Sequence, residues 1–139
     1  MRVILDTNVL LVALPSCSPY RLIFDRLLEG AYQLCLSNEI LTEYEEKIAE
    51  RYDAEAVKDL LGVLLLLPNV RQIIPYFRWN LIENDPDDNK FVDAAISANV
   101  DYLVTNDKHF NILKTLDFPK VHLCKAEEFK AMLTSIQTA

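Results

Sequence analysis

The sequence predicts an α/β fold in which helices cover both faces of a mostly parallel sheet. Residues 3–5 and 102–104 form short apolar runs without polar alternation, which is typical of strands buried on both faces. Strand-like runs and amphipathic helical segments alternate along the rest of the chain. The length of 139 residues indicates one domain, residues 1–139, and the hydrophobic fraction of 51% indicates a packed core rather than disorder.

The other elements follow from helical spacing and from residues that begin or end helices. Ser18 with Pro19, Ser37, Asp53, and Asp85 with Pro86 are candidate helix starts, because each supplies a capping oxygen or a proline at the first helical position. We predict strands at 3–5, 32–36, 70–74, 102–104 and 121–123, and helices at 9–14, 19–29, 37–52, 54–67, 86–99, 108–116 and 126–136. Residues 76–84 are predicted to be a loop, with Arg78 and Trp79 packed against the domain.

The predicted helix at 54–67 is apolar nearly all round over residues 60–67. Such a helix is either deeply buried or part of a subunit interface. In a domain this small we favour the interface, and we therefore predict a homodimer.

Composition restricts the classes of function and the compartment. With 14 basic and 21 acidic residues the formal charge is −7, which disfavours non-specific nucleic-acid binding unless divalent cations or a local basic face offset it. The two glycines form no glycine-rich phosphate loop. Three widely spaced cysteines fit a reducing compartment, and we see neither a signal peptide nor an apolar run long enough to span a membrane. We predict a cytoplasmic protein with no membrane partner.

Acidic residues follow both central strands. Asp6 follows residues 3–5 and Asp107 follows 102–104, so in parallel neighbouring strands they would lie at the same carboxyl edge, where ligands bind in such folds. On a helical wheel, Asp88 falls near the middle of the buried face of helix 86–99, whereas Asp93 lies well off it. A right-handed crossover brings the start of that helix to the same edge. We therefore expect Asp6, Asp88 and Asp107 to converge.

Converging carboxylates favour a hard divalent cation. Without a positive partner they repel one another, so at least one should have a raised pKa. Mg²⁺ and Mn²⁺ prefer oxygen ligands and suit phosphodiester hydrolysis, and no Ser-His-Asp or Cys-His arrangement competes with this interpretation. We interpret His109 as structural and Lys90 and Lys108 as solvated, although either lysine could hold a phosphate.

Four motifs that together span nearly the whole chain resemble the PIN-domain nucleases. They are L-D-T-N-V at 5–9, S-x-E-I-L-x-E at 37–43, D-P-D-D-N-K-F-V-D-A-A at 85–95, and D-Y-L-V-T-N-D at 101–107. The resemblance implies a three-layer α/β/α fold with a central, mostly parallel sheet of four to five strands flanked by helices. It also implies an endoribonuclease that uses Mg²⁺ or Mn²⁺ and resembles the short bacterial toxins that a small antitoxin neutralises.

The same resemblance assigns the site residues. Its acidic positions fall on Asp6, Glu43, Asp88 and Asp107, and its small polar positions fall on Asn8 and Thr105. Glu43 is chosen by resemblance alone, since spacing does not separate it from its glutamate neighbours. Asp85 is a candidate supporting residue, although we interpret it first as a helix cap.

Two alternatives remain open at this point. The chain could be a PIN-like fold that serves as a non-catalytic binding or assembly module. It could also be a receiver-like domain with an acidic Mg²⁺ pocket, but that class needs an acceptor aspartate after the third strand, where this chain has Ile74 and Pro75.

Overall fold

The computed structural model describes residues 1–136, and within them five strands form one parallel sheet in the order β3-β2-β1-β4-β5. The strands are β1 (Arg2–Leu5), β2 (Gln33–Leu36), β3 (Val70–Gln72), β4 (Tyr102–Val104) and β5 (Leu123–Cys124). The helices are α1 (Thr7–Ala13), α2 (Arg21–Leu28), α3 (Asn38–Arg51), α4 (Ala54–Leu66), α5 (Asn89–Ala98) and α6 (Ala126–Ser135). Two 3₁₀ segments, Pro86–Asp88 and Lys108–Thr115, complete the described elements. This confirms the predicted α/β/α fold with a parallel sheet flanked by helices.

Strand β1 lies at the centre of the sheet. It pairs with β2 on one side and with β4 on the other, and Leu5 is in register with Val104. Ile4 and Leu103 are fully buried, as the unbroken apolar runs predict for strands covered on both faces. Because β1 and β4 are parallel neighbours, the residues that follow them meet at one edge of the sheet.

Side-chain caps fix the starts of three of the predicted helices. Backbone N–H groups donate to Ser37 Oγ at 3.3 Å, to Asp53 Oδ1 at 2.8 Å and to Asp85 Oδ1 at 3.3 Å. All three caps are those that the sequence predicts. The fourth predicted helix start, Ser18 with Pro19, is wrong in position. Ser18 Oγ accepts a hydrogen bond from the N–H of Tyr20 in a turn, and α2 begins only at Arg21.

Three further predicted boundaries differ from the structure by two residues, and the predicted helix at 86–99 begins as the 3₁₀ turn Pro86–Asp88, so that α5 starts only at Asn89. Helix α1 starts at Thr7, directly after the first strand, rather than at Val9. Strand β3 ends at Gln72 and lies at the sheet edge, where Arg71 and Gln72 are exposed. The fifth strand starts two residues later than predicted, because Val121 is buried without ladder pairing and the register begins with Leu103 opposite Leu123.

Helix α4 divides into a buried and an exposed side. Leu60 and Leu64 pack into the core, whereas Leu65 is 53% exposed and Leu66 is 84% exposed. The C-terminal part of the outer side of α4 is therefore apolar and uncovered in a single chain, whereas its first half exposes Glu55, Lys58 and Asp59. Among the helices of residues 1–136, none is long and apolar enough to cross a membrane.

The sheet order excludes the receiver-like alternative. Receiver domains have the strand order 2-1-3-4-5, with the third strand beside the first. Here β2 and β4 flank β1, and β3 lies at the edge. The residues that follow β3 are therefore remote from those that follow β1.

Candidate metal centre

Four predicted acidic residues come together beyond the carboxyl ends of β1 and β4. Asp6 follows β1, Asp107 follows β4, Glu43 lies on α3, and Asp88 ends the 3₁₀ turn before α5. Their charges act on one another: Glu43 and Asp107 help to raise the pKa of Asp6, and Asp107 and Asp6 help to raise the pKa of Asp88. The distant parts of the chain that carry these carboxylates therefore form one acidic cluster.

Asp6 is the most buried of the four, with 6% of its surface exposed. Burial is the main reason that its pKa is raised from 3.8 to about 6, although hydrogen bonds from Thr105 and from the backbone of Thr7 oppose this. The Thr105 hydroxyl donates to Asp6 Oδ2 at 2.8 Å and accepts from the N–H of Asp107 at 3.0 Å. Thr105, a predicted supporting residue, thus links the two acids that follow the central strands.

Glu43 is held on both of its carboxylate oxygens. Lys90 Nζ lies 2.8 Å from Oε1, and the Thr7 hydroxyl donates to Oε2. The prediction that Lys90 is solvated is wrong, because α5 places it against α3 with only 16% of its side chain exposed. Burial by itself would lower the pKa of Lys90, but the hydrogen bond and charge of Glu43 outweigh this and raise it. Asn8, the predicted supporting residue next to Thr7, lies exposed on α1.

Asp88 carries an unsatisfied oxygen. Its side chain is 13% exposed, and its buried Oδ2 has no hydrogen-bond partner among the described residues. Burial and the charges of neighbouring aspartates raise its pKa from 3.8 to about 6. A positive charge beside this oxygen would stabilise it, since it lies among other carboxylates.

The ring of His109 faces the same cluster, which the sequence pattern does not predict. Its Nδ1 lies 3.5 Å from Asp88 Oδ2, 3.5 Å from Asp107 Oδ1 and 3.9 Å from Asp85 Oδ2. Its backbone N–H donates to Asp107 Oδ1 at 2.9 Å. The sequence offered one signal for this position: His109 follows Asp107 by two residues, and an aspartate that caps a turn holds the residues after it close to its own carboxylate.

Asp85 and Asp93 differ in their relation to the cluster. Asp85 caps its turn through Oδ1, while its Oδ2 faces His109. Asp93 is 7% exposed and accepts from the Trp79 N–H at 3.0 Å, so its predicted place off the buried face is wrong. The helical wheel failed there because the loop after β3 covers the outer face of α5. Burial raises the pKa of Asp93, but its charged neighbours are Arg78 and Glu39 rather than the cluster.

The donor set fits a hard divalent cation. Asp6, Glu43, Asp88 and Asp107 supply carboxylate oxygens, which Mg²⁺ and Mn²⁺ bind preferentially. Within residues 1–136 no hydrogen bond reaches Asp88 Oδ2, and burial together with neighbouring acidic charges raises the pKa values of Asp6 and Asp88, which a bound cation would oppose. The residues present are therefore suited to hold a cation.

Comparison with known proteins agrees with the fold and the motifs. A family model described as PIN domain matches residues 2–109. No curated protein matches the chain significantly. A chain in the crystal structure of VapBC2 from Rickettsia felis bound to a promoter DNA fragment is 19% identical with a TM-score of 0.62, over 90% of this chain and 98% of that chain. A chain of DNA-bound VapBC from Salmonella typhimurium is 15% identical with a TM-score of 0.59, over 91% of this chain and 98% of that chain.

At these identities the two structures support the fold alone. The family model covers most of the 139 residues and contains all four acidic positions of the cluster. The chain therefore belongs to the PIN domain family.

Proposed function

We propose that this protein is a metal-dependent endoribonuclease that hydrolyses phosphodiester bonds in RNA with Mg²⁺ or Mn²⁺. The observation that carries the proposal is the convergence of Asp6, Glu43, Asp88 and Asp107 at one sheet edge. RNA as the substrate class follows from the family resemblance.

Each residue of the cluster has a role that its contacts support. Asp6, Glu43, Asp88 and Asp107 would hold the cation, which supplies positive charge to the reacting phosphate and lowers the pKa of bound water. Thr105 fixes Asp6 relative to Asp107, and Lys90 fixes Glu43. These contacts keep the carboxylates in place before substrate arrives, which reduces the reorganisation that catalysis requires.

A groove beside Asp107 offers a place for the RNA backbone. Its volume is about 150 Å³, and its lining includes Lys108, Lys114 and Lys125 next to Thr105 and Asp107. Three exposed lysines on one side of the acidic cluster offset locally the overall charge of −7. We place the phosphates that flank the scissile bond along this groove.

We further propose that the protein is the toxin of a toxin–antitoxin pair and that a small antitoxin binds it. An apolar groove of about 360 Å³ lies between the end of α1, α2, α3 and α4, lined by residues that include Phe24, Ile48 and Leu60. A peptide segment with apolar side chains fits such a groove. The exposed side of α4 supports the proposal of a homodimer, and a cytoplasmic location remains part of the same proposal.

RNA cleavage by purified protein tests the nuclease proposal. We would compare the wild type with Asp6→Asn and Asp88→Asn on single-stranded and structured RNA in Mn²⁺, with the exposed Asp117→Asn as a matched control. Loss of one metal ligand should reduce the cleavage rate at least ~100-fold, whereas Asp117→Asn should leave it unchanged. Full activity of Asp6→Asn would overturn the proposal. Metal binding by the wild type without cleavage of any RNA tested would favour the non-catalytic module instead.

A further inference from the structure

We infer that His109 is a ligand of the cation at this site, together with Asp88 and Asp85, and that its nitrogen makes the site prefer Mn²⁺ to Mg²⁺. This inference rests on the proposed metal-dependent function and extends the ligand set beyond the four acidic residues. Nδ1 of His109 and carboxylate oxygens of Asp85 and Asp88 lie within 4.8 Å of one another.

The distances between the donor atoms suit a shared cation. Ligands that bind such an ion at about 2.1 Å are separated by at most about 4.2 Å when they lie on opposite sides of it. His109 Nδ1 lies 3.5 Å from Asp88 Oδ2 and 3.9 Å from Asp85 Oδ2. Both separations fall within this limit, and the Asp85 and Asp88 oxygens lie within 4.8 Å of each other, so small side-chain adjustments would bring all three donors within reach of one cation.

The local backbone brings these donors to the same place. Asp85 and Asp88 are three residues apart in a 3₁₀ turn, where side chains at this spacing lie on the same face. His109 approaches from the other side, at the start of the 3₁₀ segment after β4, and its N–H is anchored on Asp107 Oδ1 at 2.9 Å. The unpartnered oxygen is Asp88 Oδ2, the carboxylate atom that lies 3.5 Å from the imidazole nitrogen.

An imidazole ligand changes the preference between cations. Mg²⁺ is a hard ion that selects oxygen donors and gives up its waters reluctantly. Affinity for sites with mixed nitrogen and oxygen donors rises along the first-row transition metals, of which Mn²⁺ is the first in that order. Replacing one oxygen or water by His109 Nδ1 should therefore strengthen Mn²⁺ binding more than Mg²⁺ binding.

If His109 served only as a charge partner of the carboxylates, its ring would have to be protonated. A protonated ring has no lone pair on Nδ1, so it can pair with carboxylates but cannot bind a metal. The test is made at pH 8 with Mn²⁺ and Mg²⁺ alone.

Pulsed electron paramagnetic resonance of bound Mn²⁺ detects a directly coordinated nitrogen. We expect a nitrogen coupling in the wild type that disappears in His109→Ala and persists in His122→Ala, which removes an exposed histidine at the opposite end of β5. In competition titrations, His109→Ala should weaken Mn²⁺ binding at least about tenfold and Mg²⁺ binding less than about threefold. His109→Gln, which keeps an oxygen donor, should bind Mg²⁺ about as tightly as the wild type does but should lack the Mn²⁺ preference.

Other results separate this inference from the proposed function. Mn²⁺ that binds without nitrogen coupling, with the same preference in His109→Ala, would overturn the role of His109. The nuclease proposal would survive that result if Asp6→Asn still abolished Mn²⁺ binding. Absence of any Mn²⁺ or Mg²⁺ binding by the wild type would overturn both.

Discussion

The acidic cluster has two halves that differ in how their charges are satisfied. In the inner half, Asp6 and Glu43 have partners within the protein, because Thr105 donates to Asp6 at 2.8 Å and Lys90 lies 2.8 Å from Glu43. In the outer half, Asp88 has a buried oxygen with no hydrogen-bond partner among the described residues, and the half-exposed ring of His109 faces it.

This difference separates the ligands that are already held in place from those that a cation would complete. The inner carboxylates are fixed by side chains whose own positions depend on β4 and α5. In the outer half, Asp88 is repelled by Asp85 and Asp107, and burial together with these charges raises the pKa of Asp88 to about 6. We therefore expect substitutions in the inner half to change the stability of the metal-free protein in addition to cation binding, and we expect cation binding to relieve mainly the repulsion in the outer half.

Asp6→Asn should have the largest effect on the stability of the metal-free protein, and it should be stabilising. Because the native pKa of Asp6 is raised from 3.8 to about 6, the native state binds this proton more tightly than the unfolded chain. In the wild type, the stabilising effect of the protonated Asp6 carboxyl is complete below the ordinary aspartate pKa, and it is lost as the pH rises to about 6. At pH 7 the neutral amide should raise the free energy of unfolding by ~2–3 kcal/mol, as measured by urea denaturation in EDTA.

The pH profile supplies the control for that prediction. The wild type should lose stability between pH 4 and pH 6, and Asp6→Asn should lose less over the same range. Equal slopes for the two proteins, or destabilisation by the amide at pH 7, would show that burial of the Asp6 charge does not control the stability of the metal-free protein.

Lys90→Met should destabilise the fold by ~1–2 kcal/mol, because it leaves the largely buried Glu43 carboxylate without its lysine partner. The two side chains of this ion pair are 16% and 17% exposed. Lys47→Met is the matched control, since it removes the same charge from a pair that is 45% and 59% exposed at 3.6 Å. That control should cost less than ~0.5 kcal/mol in the same denaturation experiment. Equal costs for the two substitutions would contradict the proposed difference in burial.

Thr105→Val should have the smallest effect, a loss of ~1 kcal/mol, because it removes one buried hydroxyl and keeps the side-chain shape. The lost hydroxyl donates to Asp6 and accepts from the Asp107 N–H. Since the bond from Thr105 lowers the pKa of Asp6, its removal should raise that pKa further, which titration by NMR would detect. An unchanged Asp6 titration would show that this bond does not hold the carboxylate. Thr115→Val, an exposed change, should leave both quantities unaltered.

The sequence predicts the parts of the site that depend on strands. The apolar runs before Asp6 and Asp107 predict two parallel neighbours, and the register of Leu5 with Val104 shows that the two acids share an edge. The helical wheel places Asp88 on the buried face, because the spacing of apolar residues along a helix shows which of its faces meets the sheet. These predictions need only local patterns and the topology of a parallel sheet.

The contacts between elements could not be predicted in this way. Lys90 pairs with Glu43 because α5 packs against α3, and no pattern within either helix records that neighbour. Asp93 is buried by a loop that supplies the Trp79 N–H, although its own helical position indicates solvent. Glu43 itself came from the family resemblance, since spacing alone left several glutamates equivalent.

The proposed function depends most on the inner and outer carboxylates binding the same cation. Calorimetric titration of Mn²⁺ into the wild type, Asp6→Asn and Asp88→Asn at pH 7.5 tests this directly, with Asp117→Asn as control. We predict that Asp6→Asn and Asp88→Asn each abolish the Mn²⁺ binding seen in the wild type. Lowering the pH below about 6 should weaken Mn²⁺ binding by the wild type, since protons then compete with the metal for Asp6 and Asp88. Binding that survives in either variant with unchanged affinity would show that the two halves do not form one site.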